Sequence, residues 1–596
     1  MPNSVSRRNL LALSAAASAA AACGKPEPEN FTSVWLRDRS PSDLEEVGAF
    51  RHGLASGDPS QDGFVIWTRI TPLKNWKKSV PVSWDIIDVA DEYKSIKKGV
   101  TKTGPERDFT VKEVITGLKP GRLYAFQFQV LLADIGDTRD YVIDNGSTGF
   151  AKTLPEGKTK SAKFAVVSCA NFQAGYFNVY DHIARREDID AVLHLGDYYY
   201  EYGPDGWGGA WGEKTDRMHQ PPKEIITLED YRRRHAQYRS DPNLQAMTAA
   251  HALIPVWDDH EVSNDSYAGG AQNHQEAEGD WITRRDAALQ AYYEWMPVRD
   301  PENSADRHKR SQVFEYGDLA TLCAVETRLA ARAEPINIDD YTPDMNGAED
   351  AAAFKRDVLD VPGRHMLGED QTRNVVSALS KSKDAGQPWR VLLNQVILGR
   401  ILTTDMSPYI DENAISALEA DWPAVRDFVR NSAFNLPVYP DSWDGYPWAR
   451  EQFYGALEEA GIHDIITLTG DAHEFWAIDL KRDNGTQMGV ELVTSSVSSP
   501  TLQAYFGDAT ADYNLLVTQS NDDVRYYNAL KNGYMTLHLT HQKGVSEMIE
   551  ISTVTEQNYS AQTVASFHIH KRKDSLKFTK PKGLNFKQKV LFAGLG

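Results

Sequence analysis

Cys169, Asp197, Asp258, Asp259, His260, Asp471 and His473 are all able to bind a metal, and each follows an apolar run. FAVVS leads into Cys169, DAVLHLG into Asp197, HALIPVW into Asp258-Asp259-His260, and DIITLTG into Asp471 and His473. One apolar run ending in an acid is ordinary. Four that end in Cys, Asp, Asp and Asp/His predict strand C-termini converging on one site, where open α/β sheets hold their ligands. The chemistry this implies is metal-dependent hydrolysis. In Gly196-Asp197-Tyr198-Tyr199-Tyr200 a carboxylate stands at the strand tip, able to bridge two cations, with a phenol three residues on. The phenolate of Tyr200 is a hard donor that favours a trivalent ion such as Fe(III). Cys169 precedes a turn-rich stretch, which places a thiolate to reach a metal or a substrate. His260, set between carboxylates, is a candidate general acid whose neighbours raise its pKa. Asp471 and His473, two residues apart, can point at different metals.

The whole chain sets bounds on that chemistry. Its 596 residues, 41% of them hydrophobic, can bury a large core and hold more than one domain. A formal charge of -20 offers no basic face for nucleic acid, so a phosphorylated substrate must be held by a local site, with metal cations supplying the positive charge. Ser6-Arg7-Arg8-Asn9-Leu10 is a twin-arginine pattern, and the run Leu10 to Ala22 is too short to span a bilayer. The twin-arginine export machinery is therefore an expected partner and the periplasm or the exterior the expected location. Ala20-Ala21-Ala22-Cys23 fits a lipobox that makes Cys23 a lipid anchor, or a plain signal-peptidase site. Beyond Cys23 only Cys169 and Cys323 remain, at most one disulfide, and Cys323 in ATLCAVETR reads as a small buried hydrophobe.

The elements that must position these residues follow from the patterning. Residues 1–30 are signal and linker. Residues 45–155 alternate with period two between turns and read as a small β-sandwich. In it Leu118-Lys119-Pro120-Gly121, followed by Tyr124, resembles the corner of an immunoglobulin- or fibronectin-like domain. From 163 to 530 strands alternate with helical stretches such as 228–239 and 283–295, which predicts a layered α/β domain. Residues 531–596 add antiparallel strands at a sheet edge. The Gly-, Trp- and Pro-rich stretch Tyr202 to Lys223 is incompatible with a regular element and reads as a loop beside the site. Ala331 to Glu369 and Pro437 to Trp448 read the same way, as loops that shape a pocket entrance.

Taken together, SCANFQ (168–173), GDYYYEY (196–202), WDDHEVSND (257–265) and GDAHEFW (470–476), preceded by HGLASGDP and VIWTR, resemble the alkaline phosphatase D (PhoD-like) family of metallophosphoesterases. The resemblance implies a calcineurin-like four-layer sandwich behind the β-sandwich, and hydrolysis of phosphate esters outside the cytoplasm with Fe(III) and Ca(II). It implies that Cys169, Asp197, Tyr200 and His473 hold the iron, with Asp197 bridging, and that Asp471 holds the second metal. Asp259 stands where related enzymes carry asparagine, which leaves Asn264 as a rival ligand. A second site of Asp197, Asp259 and Asp471 is all oxygen, which suits Ca(II) or Mg(II) better than zinc. The expected reaction is in-line attack on phosphorus by a metal-activated hydroxide or oxide, with His260 protonating the leaving alkoxide. Arg328 is the candidate phosphate clamp. Tyr199, at a position where some relatives carry arginine, is a candidate substrate contact. A phosphodiesterase or phospholipase-type esterase on the same centre is the alternative, since aromatic loops suit a larger apolar leaving group.

Overall fold

Periodicity of the apolar residues builds three sheets in the computed structural model, which describes residues 50–71, 78–131, 143–145, 147–410, 412–419, 425–507, 510–572 and 575–579. The twin-arginine pattern and Cys23 lie outside the described residues. The largest sheet has ten strands, and at its centre Ser161–Val167, Ala191–Leu195 and Leu253–Val256 run parallel and in register, Leu193 opposite both Val166 and Ile254. Buried on both faces, these strands read as unbroken apolar runs. A seven-stranded sheet carries Ile465–Thr469 between two parallel neighbours, Trp389–Leu393 and Gln487–Val493.

The two sheets pack face to face through Phe164, Val166, Leu193, Leu195, Leu322, Val391, Leu393, Ile466, Leu468, Val490 and Leu492. Helices close both outer faces. Asn178–Ala184, Leu228–Arg239, Pro242–Ala250 and Trp281–Trp295 bury Tyr180, Tyr231, Met247 and Leu289 against the first sheet. Gly368–Asp384 and Pro447–Glu459 bury Leu379, Phe453 and Leu457 against the second. The order is helices, sheet, sheet, helices, with all four metal-bearing strands in the two middle layers.

The N-terminal strands depart from a free-standing sandwich. Leu54–Ser60, Gly63–Arg69 and Thr110–Ile115 do pack on Val80–Asp88 and Leu123–Leu131 through Phe64, Ile66, Ile86, Val111, Phe126 and Phe128. The first of them, however, pairs in parallel with Leu253–Val256, so these N-terminal strands continue the ten-stranded sheet. Buried Asp58 reinforces this seam by accepting from Arg310 (2.6 Å) and from the Arg299 amide (2.7 Å). At the expected corner, the Tyr124 hydroxyl accepts from the Lys119 amide at 2.9 Å. The C-terminal strand Gly533–Thr540 pairs antiparallel with Ser161–Val167, next to the strand that carries Cys169.

The long irregular stretches hold more structure than their composition implies. Gly209–Thr215 is an α-helix, entered through Gly208 at φ +94° and closed by Asp216 in the left-handed region. Ala348–Phe354 is also helical, and Pro447 opens a helix inside the end of the third stretch. Pro at the first helical position loses no hydrogen bond, which is why a proline-rich loop runs directly into a helix there.

Candidate metal centre

The four strand ends meet because both sheets are notched by glycine where they converge. A Cβ on Gly196 would lie 2.3 Å from the Asp258 Cβ, and one on Gly470 would lie 2.7 Å from the Ser168 Cβ and 2.9 Å from the Leu195 carbonyl oxygen. Cys169, Asp197, Asp471 and His473 all take left-handed backbone, with φ between +53° and +63°. Non-glycine residues hold this conformation at a cost of order 1–3 kcal/mol each, and four of them around one point mark a site the surrounding packing over-determines.

Three clusters of candidate ligands result, with the donor atoms in each lying within 4.8 Å of one another: Cys169, Asp197 and His473; Asp197, Asp259 and His260; and Asp197, Asp258, Asp259 and Asp471. Asp197 is common to all three. Tyr200 joins the first cluster, since its hydroxyl donates to Asp197 Oδ2 at 3.0 Å, lies 3.3 Å from His473 Nε2 and accepts from Ser499 Oγ at 2.8 Å. His473 donates through Nδ1 to the Pro500 carbonyl at 3.1 Å, which leaves Nε2 as the lone-pair atom facing the cluster. Burial brings the His473 pKa down to about 4, so the ring is neutral and competent to ligate.

The donor set fits cations. Asp197 Oδ1, Asp258 Oδ2 and Asp259 Oδ1 are buried carboxylate oxygens with no hydrogen-bond donor. Burial, reinforced by neighbouring acids, drives the pKa values of Asp197 and Asp471 far above the usual carboxylate range, and burial and Asp197 raise the Cys169 thiol likewise. Such groups ionise together only if positive charge is placed among them.

Arg328 lies beneath the oxygen-rich side and is fully buried. It donates to Asp258 through Nε and to Asp441 through another nitrogen, and it stands 3.6 Å from Asp259 Oδ1 and 3.7 Å from Asp471 Oδ1. Arg332 also donates to Asp441. Arg328 and His260, working against burial, hold Asp259 at about 2. The candidate phosphate clamp is thus enclosed by carboxylates and acts as their counter-charge.

Tyr199 also departs from expectation. It is fully buried against Tyr231, His235 and Tyr238, and its hydroxyl donates to the Glu261 carbonyl at 2.7 Å, which makes it a core residue with no face toward a substrate. Asn264 donates its side-chain nitrogen to Gln272 at 3.1 Å and its backbone amide to Glu201, and Asp259 lies in the carboxylate cluster.

His260 borders the carboxylates, its ring 4.1 Å from that of Tyr200 and its Nδ1–H donating to Glu201 Oε2 at 2.7 Å. Burial alone would lower its pKa, but Asp259, Glu201 and Asp197 outweigh burial and raise it well above the ordinary histidine value. Glu201 was not singled out from the sequence. It is fully buried and also accepts from the Asn264 amide (2.8 Å) and Asn273 Nδ2 (2.9 Å). Glu261 was missed too, and its carboxylate ties two strand tips together by accepting from the backbone amides of Asp197 (3.0 Å), Tyr198 (2.6 Å) and Asp258 (2.8 Å). The Glu four residues after Asp in GDYYYE and the final acid of DDHE were the available signals. Cys323 is buried in Ala320–Ala324, and it and Cys169 are both free thiols.

An aromatic flank covers the first cluster. Trp207 stacks on His473, with centroids 5.5 Å apart at 26°, and its ring is 5.4 Å from that of Tyr200. Buried acids converging on a shared aspartate beside a positioned histidine can take up two cations and deliver a proton to a leaving group.

Known proteins share this arrangement of chain. Residues 164–547 match the family described as PhoD-like phosphatase, and residues 38–155 match that described as PhoD-like phosphatase, N-terminal domain. Over 548 residues the chain is 32% identical to "Alkaline phosphatase D" of Bacillus subtilis (strain 168), covering 89% of this chain and 82% of that protein. The solved "Structure of PhoD" aligns at a TM-score of 0.70 and 29% identity, covering 90% of this chain and 94% of that one.

Proposed function

The chain belongs to the PhoD-like phosphatase family and is a phosphoric ester hydrolase, and from that premise we propose that it is an exported alkaline phosphatase working at a dinuclear Fe(III)/Ca(II) centre and releasing inorganic phosphate. In this reading the four middle and outer layers are the calcineurin-like sandwich, and the N-terminal strands are its immunoglobulin-like module. The observation that carries the assignment is the position of Asp197, common to every cluster, with sulfur, phenol and imidazole on one flank and, on the other, carboxylates bordered by His260.

Cys169, Tyr200 and His473 would hold the trivalent ion and Asp259 and Asp471 the calcium, with Asp197 spanning both. When bound, the cations supply Lewis acidity, drawing charge from the phosphoryl oxygens and making water nucleophilic near neutral pH. His260, with Nδ1 committed to Glu201, offers Nε2–H to the departing alkoxide. Arg328 screens the carboxylates from below, and the Trp207 flank excludes water from the His473 side.

The test is elemental analysis of the mature protein together with hydrolysis of p-nitrophenyl and bis-p-nitrophenyl phosphate, with and without calcium. About one iron per chain and calcium-dependent turnover are expected under a one-ion-per-flank occupancy. Bound zinc alone, with neither ester cleaved after iron and calcium loading, removes the proposal. The phosphodiesterase or phospholipase-type reading is favoured by the aromatic flank, and the monoester-to-diester ratio chooses between the two. Export rests on Ser6-Arg7-Arg8-Asn9-Leu10. The mass of the N-terminal peptide from extracytoplasmic protein tests it and also reports a lipid on Cys23. No helix of the described residues is long and apolar enough to cross a membrane.

A further inference from the structure

Trp207 is followed by a continuous aromatic surface that leads away from the metal-binding cluster. Its indole Nε1–H donates to the Tyr505 hydroxyl at 2.9 Å, and the Tyr505 ring, 56% exposed, lies edge-on to Trp211 with centroids 6.3 Å apart. On the inner side Tyr202 stands 6.4 Å from Trp207 and 5.4 Å from His260. The wall therefore reaches from both His473 and His260 to solvent.

Its placement is built by the backbone. A Cβ on Gly206 would meet the Tyr202 side chain at 2.8 Å, and Gly208 adopts φ +94° to start the helix that carries Trp211. The indole donor of Trp207 is spent on the Tyr505 hydroxyl, so the indole offers a ring and no free N–H. The two arginines beside the carboxylates, Arg328 and Arg332, have side chains fully shielded from solvent.

We infer that Trp207, Tyr505 and Trp211 form a subsite for a flat, apolar organic group esterified to the phosphate, and that they set the specificity of the hydrolase. The inference rests on the proposed phosphate-ester hydrolysis and adds the class of alcohol the site selects. A phosphate held at the cluster puts its ester substituent beside Trp207, where offset or edge-on ring contacts are favourable. A short alkyl substituent has no ring to offer the wall and gains nothing from it.

The metal-loaded full chain tests this with 2-phenylethyl phosphate and ethyl phosphate, whose leaving alcohols have similar acidity, so that the ratio of kcat/KM values reports the ring. Binding of the non-hydrolysable phenylphosphonate and methylphosphonate is measured in parallel. The unaltered protein prefers the phenyl member of each pair. Trp207→Ala cuts that preference by about tenfold and Tyr505→Ala by about threefold, the range of an aromatic contact. Metal loss caused by uncovering His473 lowers both esters together and leaves the ratio unmoved. Tyr505 is exposed enough for its variant to fold. Unchanged ratios in both variants, or no phenyl preference in the unaltered protein, overturn the inference. If neither ester is cleaved, the hydrolase proposal fails, while phosphonate binding still decides the subsite.

Discussion

The two flanks of Asp197 solve the same electrostatic problem differently. On one side Cys169, Tyr200 and His473 are groups that can all remain neutral, kept so by burial, and they need no counter-ion. On the other, Asp258, Asp259 and Asp471 crowd acids together, and Arg328 lies beneath them with no exposed face. A neutral flank can be assembled without metal, and its thiol and phenol would ionise only if a cation were bound. A carboxylate flank needs a resident cation even when empty, because like charges in low dielectric are costly. The contrast teaches that one shared aspartate can separate two flanks suited to unlike ions.

Substituting the bridge tests the contrast most severely. Asp197→Asn should lower turnover by about ten-thousandfold and reduce the content of both metals, as loss of several kcal/mol of Lewis-acid stabilisation requires. Retention of one full metal complement would show that the flanks do not share Asp197.

Arg328→Met should destabilise the chelator-treated protein by about 3–5 kcal/mol in denaturant unfolding, the cost of leaving buried charge unpaired, and the metal-loaded protein by much less. Equal losses in both states would mean that Arg328 is a packing residue and not a counter-charge.

Cys169→Ser and Asp471→Asn separate the flanks. Each should cost about a hundredfold in turnover, the first through lost iron with calcium response kept, the second through a weakened calcium response with iron kept. Elemental analysis and calcium titration read the difference, and identical profiles erase the distinction between flanks.

The smallest effect concerns proton delivery. His260 is raised above the ordinary value, so its acid form is lost as pH climbs through that raised pKa. Bound cations lower it again, which makes the Glu201 bond its main support. Glu201→Gln removes a negative partner, so the alkaline limb should move to lower pH, with about a 10–100-fold loss on alkyl esters and less on p-nitrophenyl phosphate. A limb that stays in place removes Glu201 from this role.

Much of this was legible in the chain, and the failures share a cause. Strand tips can be read because a buried strand is an apolar run of limited length and its end is marked by Gly-Asp or Asp-His. Tyr200 was legible as the phenol that follows Asp197 by three. Tyr199 was not, because nothing in three consecutive tyrosines says which turns inward, and the fold sends it against His235 and Tyr238. Glu201 and Glu261 look like ordinary polar residues until burial forces every one of their oxygens to find a donor. Asp441 lies 113 residues from Arg328, a separation no local pattern spans. The N-terminal strands alternate as a sandwich should, yet pairing with Leu253–Val256 depends on an edge left open by another part of the chain.

The sequence alone determined the donor types, their attachment to strand ends and the acidic character of the site, because covalent identity and backbone periodicity are local. Only the tertiary structure decided that Arg328 faces carboxylates, that Glu201 orients His260 and that Trp207 covers His473. Those outcomes follow from burial and from the meeting of two sheets, and desolvation assigns each charged group its partner only when the distant chain has arrived.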